Sequence, residues 1–413
     1  MNIWLLTIGE PIIFENQKLR LHRTGLLAKH IAEKHKSEVT WFTSTFNHFT
    51  KKHEFESDIT YQPQKNLKIV ALKGRGYKKN ISIDRIIDHR TIAKKFKNIS
   101  NSLQKPDIIV ASFPTMSLCK AAIDYGLNNN VKVFIDYRDL WPEVFIDIVP
   151  DSIKFIFNFI FKPLFNQRKY IFKNATGLIS ITNELLNQTL LIAERKKNKY
   201  DNFFPLGYFK KKHTESEILD AKKFWENIIP KENNKIKICF FGTFGYQFDF
   251  KTIIKAAEML EDENVQFYLC GSGDLMNDLI QDSKLLNNVF FPGYMSSSQI
   301  EILLEKSDIG ICPYIAKKAF LSTIPGKVIE YFSCGLPVLT TLGEGILGEL
   351  VKNENFGLNY QQNNPMSLVK SIKSLIILMK NNKIDNNKII EYYNKNFDSK
   401  IVYKKYYNFL TNK

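Results

Sequence analysis

In the run Ile324-Pro325-Gly326-Lys327-Val328-Ile329-Glu330-Tyr331, a lysine and a glutamate stand three positions apart just after a Pro-Gly pair. Pro and Gly together read as the opening of a helix. A helix start offers unpaired N–H groups and a partial positive charge, and a lysine in its first turn adds a full one. A diphosphate fits that combination. Glu330 falls on the same helical face as Lys327, where its carboxylate can accept two hydrogen bonds from a ribose diol. The plainer alternative is a surface Lys–Glu pair, which contributes little.

Three glycine-bearing turns precede this run, each after a short apolar segment that reads as a strand. They are Gly242-Thr243-Phe244-Gly245, Gly271-Ser272-Gly273-Asp274 and Pro292-Gly293-Tyr294-Met295. A fourth, Gly343-Glu344-Gly345-Ile346, follows it. Glycine lets a backbone approach a phosphate closely. Turns that all end strands of one parallel sheet lie on one rim, where such sheets bind ligands.

In the first half, Asp136-Tyr137-Arg138-Asp139-Leu140-Trp141-Pro142-Glu143 also follows a strand. Asp139 is the candidate to orient or deprotonate a hydroxyl, and Arg138 the candidate to meet substrate charge. An internal Arg–Asp ion pair is the competing reading. Gly9 and Glu10 follow the first strand, and Arg23 stands at a helix start, suited either to a phosphate or to solvent. The seven histidines show no metal-ligand arrangement, and there is no D-x-D motif.

The elements that must carry these residues alternate. Strands are expected at Ile3–Ile8, Glu38–Phe42, Leu67–Leu72, Asp107–Ser112, Lys132–Asp136 and Gly177–Ser180, with helices such as Thr24–His35 and Ser117–Asn128 between them. A Lys-rich stretch from Phe209 to Lys235 has helical pattern but no strand. Strands then resume at Ile236–Phe241, Val265–Cys270, Val289–Phe291, Ile309–Cys312 and Pro337–Thr340. Near-continuous apolar strands separated by helices imply parallel sheets covered on both faces. The expected fold class is α/β, with two Rossmann-like doubly wound domains facing each other across a cleft. Their bounds are 1–208 for an acceptor domain, 209–235 for a linker region and 236–390 for a donor domain. A C-terminal helix over 391–413 is expected to pack back on the first domain.

The order G-T-F-G, C-G-S-G-D, F-P-G-Y and I-P-G-K-V-I-E-Y-F-S-C-G-L-P-V-L resembles the donor domain of the retaining glycosyltransferases of family 4, which have the GT-B fold. The resemblance spans Ile236 to about Leu358. It implies that Glu330 binds the donor ribose and Lys327 the diphosphate. It further implies that Gly242 and Gly245 lie against the phosphates, that Tyr294 and Met295 lie near the nucleobase, and that Thr243, Gly271, Gly326, Gly343, Glu344, Gly345 and Ile346 complete the donor site. Ser322 stands where the family has the first glutamate of its E-x7-E motif, a position that touches the donor sugar. Tyr246-Gln247-Phe248 stands where many members carry a basic residue. The segment Asp136–Glu143 is similar to bacterial O-antigen and capsule sugar transferases. On the acceptor side the resemblance points to Gly9, Glu10, Arg23 and Trp141, with Arg138-Asp139 where many relatives read His-Asp.

The implied activity is a metal-independent, retaining transfer of a hexosyl or other glycosyl group from a nucleotide-diphosphate sugar, with no cofactor. The implied acceptor is a saccharide, linked to polyprenyl diphosphate, in surface-polysaccharide (O-antigen, lipopolysaccharide or capsule) synthesis. A nucleotide-sugar 2-epimerase shares the fold, and a non-catalytic nucleotide-sugar-binding protein stays open because of Ser322.

The formal net charge of +16 fits either an anionic neighbour, with nucleic acid disfavoured for want of a binding motif, or a plain Lys- and Asn-rich codon bias. No stretch reaches the ~18–20 apolar residues of a membrane span. The start of the chain lacks the pattern of a signal peptide. The five cysteines are scattered, with no C-x-x-C, and read as reduced residues of a cytoplasmic protein. In 153–165, Lys154, Asn158 and Lys162 form one polar stripe on an otherwise apolar helix, suited either to a buried core or to a membrane interface, with Pro163 ending or kinking it. Peripheral attachment to the anionic inner face of the plasma membrane is the expectation that joins helix and charge.

Overall fold

The computed structural model describes residues 1–13, 21–48, 50–80, 82–139, 141–143, 154–229 and 234–412. The chain divides into two units. Unit 1 is Met1–Gly207 with Ser399–Lys413, and unit 2 is Tyr208–Asp398.

Unit 1 contains β1 (Asn2–Leu6), β2 (Glu38–Ser44), β3 (Phe46–Asn47), β4 (Lys52–His53), β5 (Ile59–Gln64), β6 (Leu67–Leu72), β7 (Ile108–Phe113), β8 (Lys132–Tyr137), β9 (Gly177–Ser180) and β10 (Asn202–Phe203). Its main sheet runs β10-β9-β8-β7-β1-β2-β6-β5. Only β5 is antiparallel to its neighbour. Side chains alternate along β1. Ile3 and Leu5 enter a core with Trp41 and Ile31, while Trp4 and Leu6 enter a second core with Phe42 and Phe96 on the other face. That two-sided burial is why the strand reads as one apolar run. The winding reverses between β1 and β7, which places the segments after β1, β7 and β8 on one rim.

Unit 2 contains β11 (Ile236–Thr243), β12 (Val265–Ser272), β13 (Val289–Gly293), β14 (Ile309–Cys312), β15 (Val338–Thr340) and β16 (Gly357–Asn359), all parallel, in the order β13-β12-β11-β14-β15-β16. Here the winding reverses between β11 and β14. In open α/β sheets this reversal opens a crevice beyond the strand ends.

Three expectations differ from the structure. The stretch 209–235 is not an independent linker. It carries the helix Glu215–Glu226, started by a capping box between Thr214 and Glu217. Trp225 of that helix is fully buried and donates Nε1–H to the Gln299 carbonyl at 2.7 Å, which ties it into unit 2. The return to unit 1 begins at Ser399 rather than 391. The helix Asn386–Asn396 belongs to unit 2, whereas on the helix Ser399–Thr411 Tyr407 stacks on His35 at 3.7 Å and Tyr406 on Phe204 at 4.7 Å. Pro163 does not end its helix, which runs Lys154–Asn174. Pro163 stands exposed, so the carbonyl that loses its partner there can be hydrated. Ile153 and the side chains of Lys154 and Asn158 lie outside the described residues. Among the described residues, no helix is long and apolar enough to cross a membrane.

Candidate functional site

In unit 2 the helix Gly326–Ser333 crosses from β14 to β15 and sits over the switch point. Tyr331 pins it there. Its hydroxyl lies 3.2 Å from both the Cys239 carbonyl on β11 and the Ile311 carbonyl on β14. Gly310 makes room, since a Cβ at that position would lie 2.5 Å from the Tyr331 ring. Pro325 precedes the helix with extended backbone, and nothing lies within 4 Å of where a Gly326 Cβ would point.

Lys327 turns inward from this helix. Its Nζ lies 3.8 Å from the centre of the Phe240 ring, 4.1 Å from that of Phe248 and 5.4 Å from that of Tyr314. It has no hydrogen-bond partner among the described residues. A Cβ on Gly242 would sit 3.3 Å from it, so the ammonium rests against the end of β11. Burial pulls its pKa down to about 7, opposed by the pull of Cys312 and Glu330. The aromatic faces also favour the charged form. Glu330 is itself buried, at 4% exposure. A buried cation without a hydrogen-bond acceptor among the described residues, at the end of β11 and beside a buried carboxylate, is suited to an anion.

The neighbouring turns interlock. Gly242 and Gly271 have φ of 141° and 139°, and a Gly271 Cβ would lie 1.7 Å from the Gly242 carbonyl oxygen, so only glycine serves. Gly242 and Thr243 are exposed at the rim, and Gly245 closes the turn by accepting from the Phe248 N–H at 3.1 Å. Gly345 packs against Leu321, where a Cβ would meet that carbonyl at 2.5 Å. This joins the loop Gly343-Glu344-Gly345, and Ile346 at the start of the next helix, to Ser322. Ser322 is 4% exposed and donates to the Lys318 carbonyl at 3.1 Å. Tyr294 and Met295 diverge. Tyr294 is 82% exposed and Met295 is buried, so only Tyr294 presents a face to a ligand.

Unit 1 corrects two expectations. Arg23 is neither solvated nor open to ligand. Its side chain is 2% exposed, and its Nε donates to both Asp136 oxygens at 2.9 and 3.2 Å. Its Nη1 donates to the carbonyls of Phe204 and Pro205. Arg138, expected to contact substrate charge, donates instead to Asp136 at 3.0 Å, to Glu10, and to the hydroxyls of Thr24 and Ser112, each at 2.7 Å. Glu10 also accepts from the Thr24 and Gly25 N–H groups, capping the helix Arg23–Lys34. Burial alone would raise the Asp136 carboxyl, yet the two guanidiniums hold it below the usual range. The partner of Arg138 is thus Asp136, not the adjacent Asp139.

Asp139 stands exposed at the end of β8, although the protein around it pushes its carboxyl upward, against the pull of Arg138 and Arg85. Gly9 takes a φ of 88°, a turn that L side chains rarely adopt. Trp141 is half-buried on the core, and its carbonyl accepts from Arg168 at 2.7 Å. The aromatic cage of Phe240, Phe248 and Tyr314 was not among the expected site residues. Phe248, standing where a basic residue was looked for, was the signal for it.

The fold is GT-B, the α/β architecture of glycosyltransferases. The sucrose-phosphate synthase of Thermosynechococcus elongatus superposes with a TM-score of 0.70 at 14% identity, covering 100% of this chain and 98% of that one. Anabaena HepE, solved in complex with UDP-glucose, superposes at 0.62 and 14% identity over 100% of both chains. Residues 221–395 match the model of the family Glycosyl transferases group 1 and form such a domain. Among curated relatives, the chitobiosyldiphosphodolichol beta-mannosyltransferase of Debaryomyces hansenii is 27% identical over 35% of this chain and 32% of its own. The Escherichia coli K12 glycosyl transferase WcaI, assigned to colanic acid biosynthesis, is 23% identical over 57% of each. The chain thus spans from about a third to just over half the length of these relatives.

Proposed function

We propose that this chain is a glycosyltransferase of surface-polysaccharide assembly, with unit 2 holding a nucleotide-diphosphate sugar and unit 1 the acceptor. The observation that carries this reading is the Lys327 ammonium, without a hydrogen-bond partner among the described residues, lying at the unit 2 switch point against Gly242 and beside the buried Glu330. Lys327 and the helix N-terminus receive the diphosphate, and Glu330 holds the ribose diol. As the bond to the sugar breaks, charge grows on the leaving diphosphate, and a preorganised cation there lowers the barrier. The transfer retains anomeric configuration, with the departing diphosphate oxygen able to take the acceptor's proton. Asp139 orients the acceptor hydroxyl. Because Lys327 meets the diphosphate charge, transfer proceeds without a divalent metal and survives EDTA.

The acceptor is a saccharide on polyprenyl diphosphate. The relatives named for colanic acid biosynthesis and for a diphosphodolichol acceptor support that class. Phe155, Phe159 and Ile160 are 72%, 77% and 59% exposed on one helix of a chain with net charge +16, which supports peripheral contact with an anionic membrane. Phosphatidylglycerol vesicles should sediment the protein, and a Phe155→Ser/Phe159→Ser variant should stay in solution. Equal sedimentation of both would remove this contact.

The central test is transfer by Glu330→Ala from a panel of nucleotide sugars. Loss of one ribose-binding carboxylate should lower kcat/KM by about 100-fold or more, given about 1.5–3 kcal/mol for each hydrogen bond to a charged group. Unchanged transfer would end the donor-site assignment.

A further inference from the structure

Beside the Gly9 turn of unit 1 lies a second cluster, drawn from the segment after β2 and the start of the helix Ile83–Ser100. The two meet on Tyr77. Lys51 Nζ lies 5.0 Å and the Arg85 guanidinium 5.7 Å from the centre of its ring. His48 Nδ1 is 2.7 Å from its hydroxyl. Asn80 holds both cations, its side-chain oxygen accepting from Lys51 and its carbonyl accepting from Arg85 Nη1 at 2.8 Å.

Two like charges held on one ring attract an anion, and the carboxylates nearby act on Arg85 only at a distance. Asp84 pairs with Arg75, and one oxygen of the buried Asp88 accepts the Gly76 N–H at 2.8 Å, while its other oxygen has no hydrogen-bond partner among the described residues and forms no ion pair with Arg85. Among the described residues neither Lys51 nor Arg85 forms an ion pair closer than 4.0 Å, and Arg85 Nε is buried with no hydrogen-bond partner. The repulsion registers on the neighbours. Burial and the two cations hold His48 down at about 4, so its ring is neutral at pH 7. Lys51 is lowered by burial and by Arg85. The cluster also adjoins the candidate acceptor residues. A Gly9 Cβ would lie 3.6 Å from His48, and Arg85 acts on Asp139.

We propose that Lys51, Arg85 and Tyr77 form a phosphoryl-binding site in unit 1, and that its ligand is the diphosphate of the acceptor. Lys51 and Arg85 Nε supply the charged donors. Tyr77 supplies its hydroxyl proton whenever His48 donates to the phenol oxygen. The second clause of the proposal rests on the glycosyl-transfer reading, and the first does not.

The test uses the full chain carrying Lys327→Met, which removes the unit 2 phosphate contact, and inorganic pyrophosphate as the calorimetric probe. In that background Arg85→Gln and Lys51→Gln should each weaken pyrophosphate binding about 10- to 100-fold, the loss expected for a hydrogen bond to a charged group. Tyr77→Phe, which keeps the ring and the packing, should weaken it less. Thermal melting confirms that each variant folds. In the otherwise unmodified chain, Arg85→Gln should raise KM about tenfold or more for a soluble short-prenyl-diphosphate-linked sugar, while UDP affinity stays unchanged. Pyrophosphate affinity unaltered by both Gln variants overturns the site. Weakened pyrophosphate binding with an unchanged acceptor KM overturns the acceptor assignment. If the unmodified chain transfers no sugar yet pyrophosphate binding still depends on Arg85, the glycosyl-transfer reading and the acceptor clause fall while the phosphoryl site stands.

Discussion

Arg23 and Arg138 in unit 1 are surrounded by acceptors, whereas Lys327 in unit 2 is surrounded by aromatic rings. Both groups lie beyond strand ends near a switch point of a parallel sheet, and both are shielded from water. In unit 1, two guanidiniums and the carboxylates of Asp136 and Glu10 bond one another, with only Arg23 Nη2 left without a partner among the described residues, and tie β1, β7 and β8 to the helix Arg23–Lys34. The charge is structural. In unit 2 the charge is balanced at a distance and hydrogen-bonded to nothing described. Position on a rim therefore does not make a cation a ligand contact. What distinguishes the two is how many acceptors the fold supplies: four bonds for Arg23, none among the described residues for Lys327.

Removing Asp136 breaks the comparison most severely. Asp136→Ala leaves Arg23 buried and uncompensated, and breaking a buried pair costs about 3–5 kcal/mol. Urea unfolding should show that loss in unit 1. Combining Asp136→Leu with Arg23→Met should recover much of it, since no buried charge is then left alone. A single-variant loss under about 1 kcal/mol would mean the network is not structural.

Lys327→Met tests the other side, and the signs are opposite. The folded-state pKa of Lys327, about 7, lies below its ordinary 10.5, so the folded chain binds this proton less readily than the unfolded one. The resulting destabilisation is fully present below pH 7 and fades as pH rises toward 10.5. Lys327→Met should therefore raise stability by about 2–4 kcal/mol at pH 6, less at pH 9, while weakening UDP-sugar binding. In the unmodified protein, donor affinity should fall as pH rises through about 7 and the ammonium loses its proton. A variant that loses stability at pH 6 would show that Lys327 is a packing residue.

The same contrast explains what could be read from the sequence. The glycine turns of unit 2 were legible as turns because their signal is local. Gly242, Gly271 and the Pro325-Gly326-Lys327 helix start are short patterns whose backbone demands are met within a few residues. The cage around Lys327 was not legible, because Phe240, Phe248 and Tyr314 reach it from two strand ends and a loop. Of the two readings of Arg138 the structure shows the internal Arg–Asp pair, and its other partners were illegible for a similar reason. Asp139 is its neighbour in sequence, but Glu10 and Thr24, its partners on the rim, lie 128 and 114 positions away. Strand Ile59–Gln64 was not anticipated, since Ile-Thr-Tyr-Gln-Pro-Gln is polar, carries a proline and forms the edge of its sheet.

The smallest expected effect separates ligand contact from structure most cleanly. Tyr294 is 82% exposed after the glycine that ends β13, so replacing it disturbs little packing. Tyr294→Ala should leave stability within about 0.5 kcal/mol of the parent. If its ring stacks on the donor base, the same change should weaken UDP binding by about 1 kcal/mol, near fivefold, at the lower end for base–aromatic stacking. Tyr294→Phe should restore the affinity, because stacking needs the ring and not the hydroxyl. Calorimetry with UDP on the three proteins decides it. Equal affinity in all three would place the base away from Tyr294 and leave the proposed contacts of Lys327 and Glu330 to define the nucleotide's position.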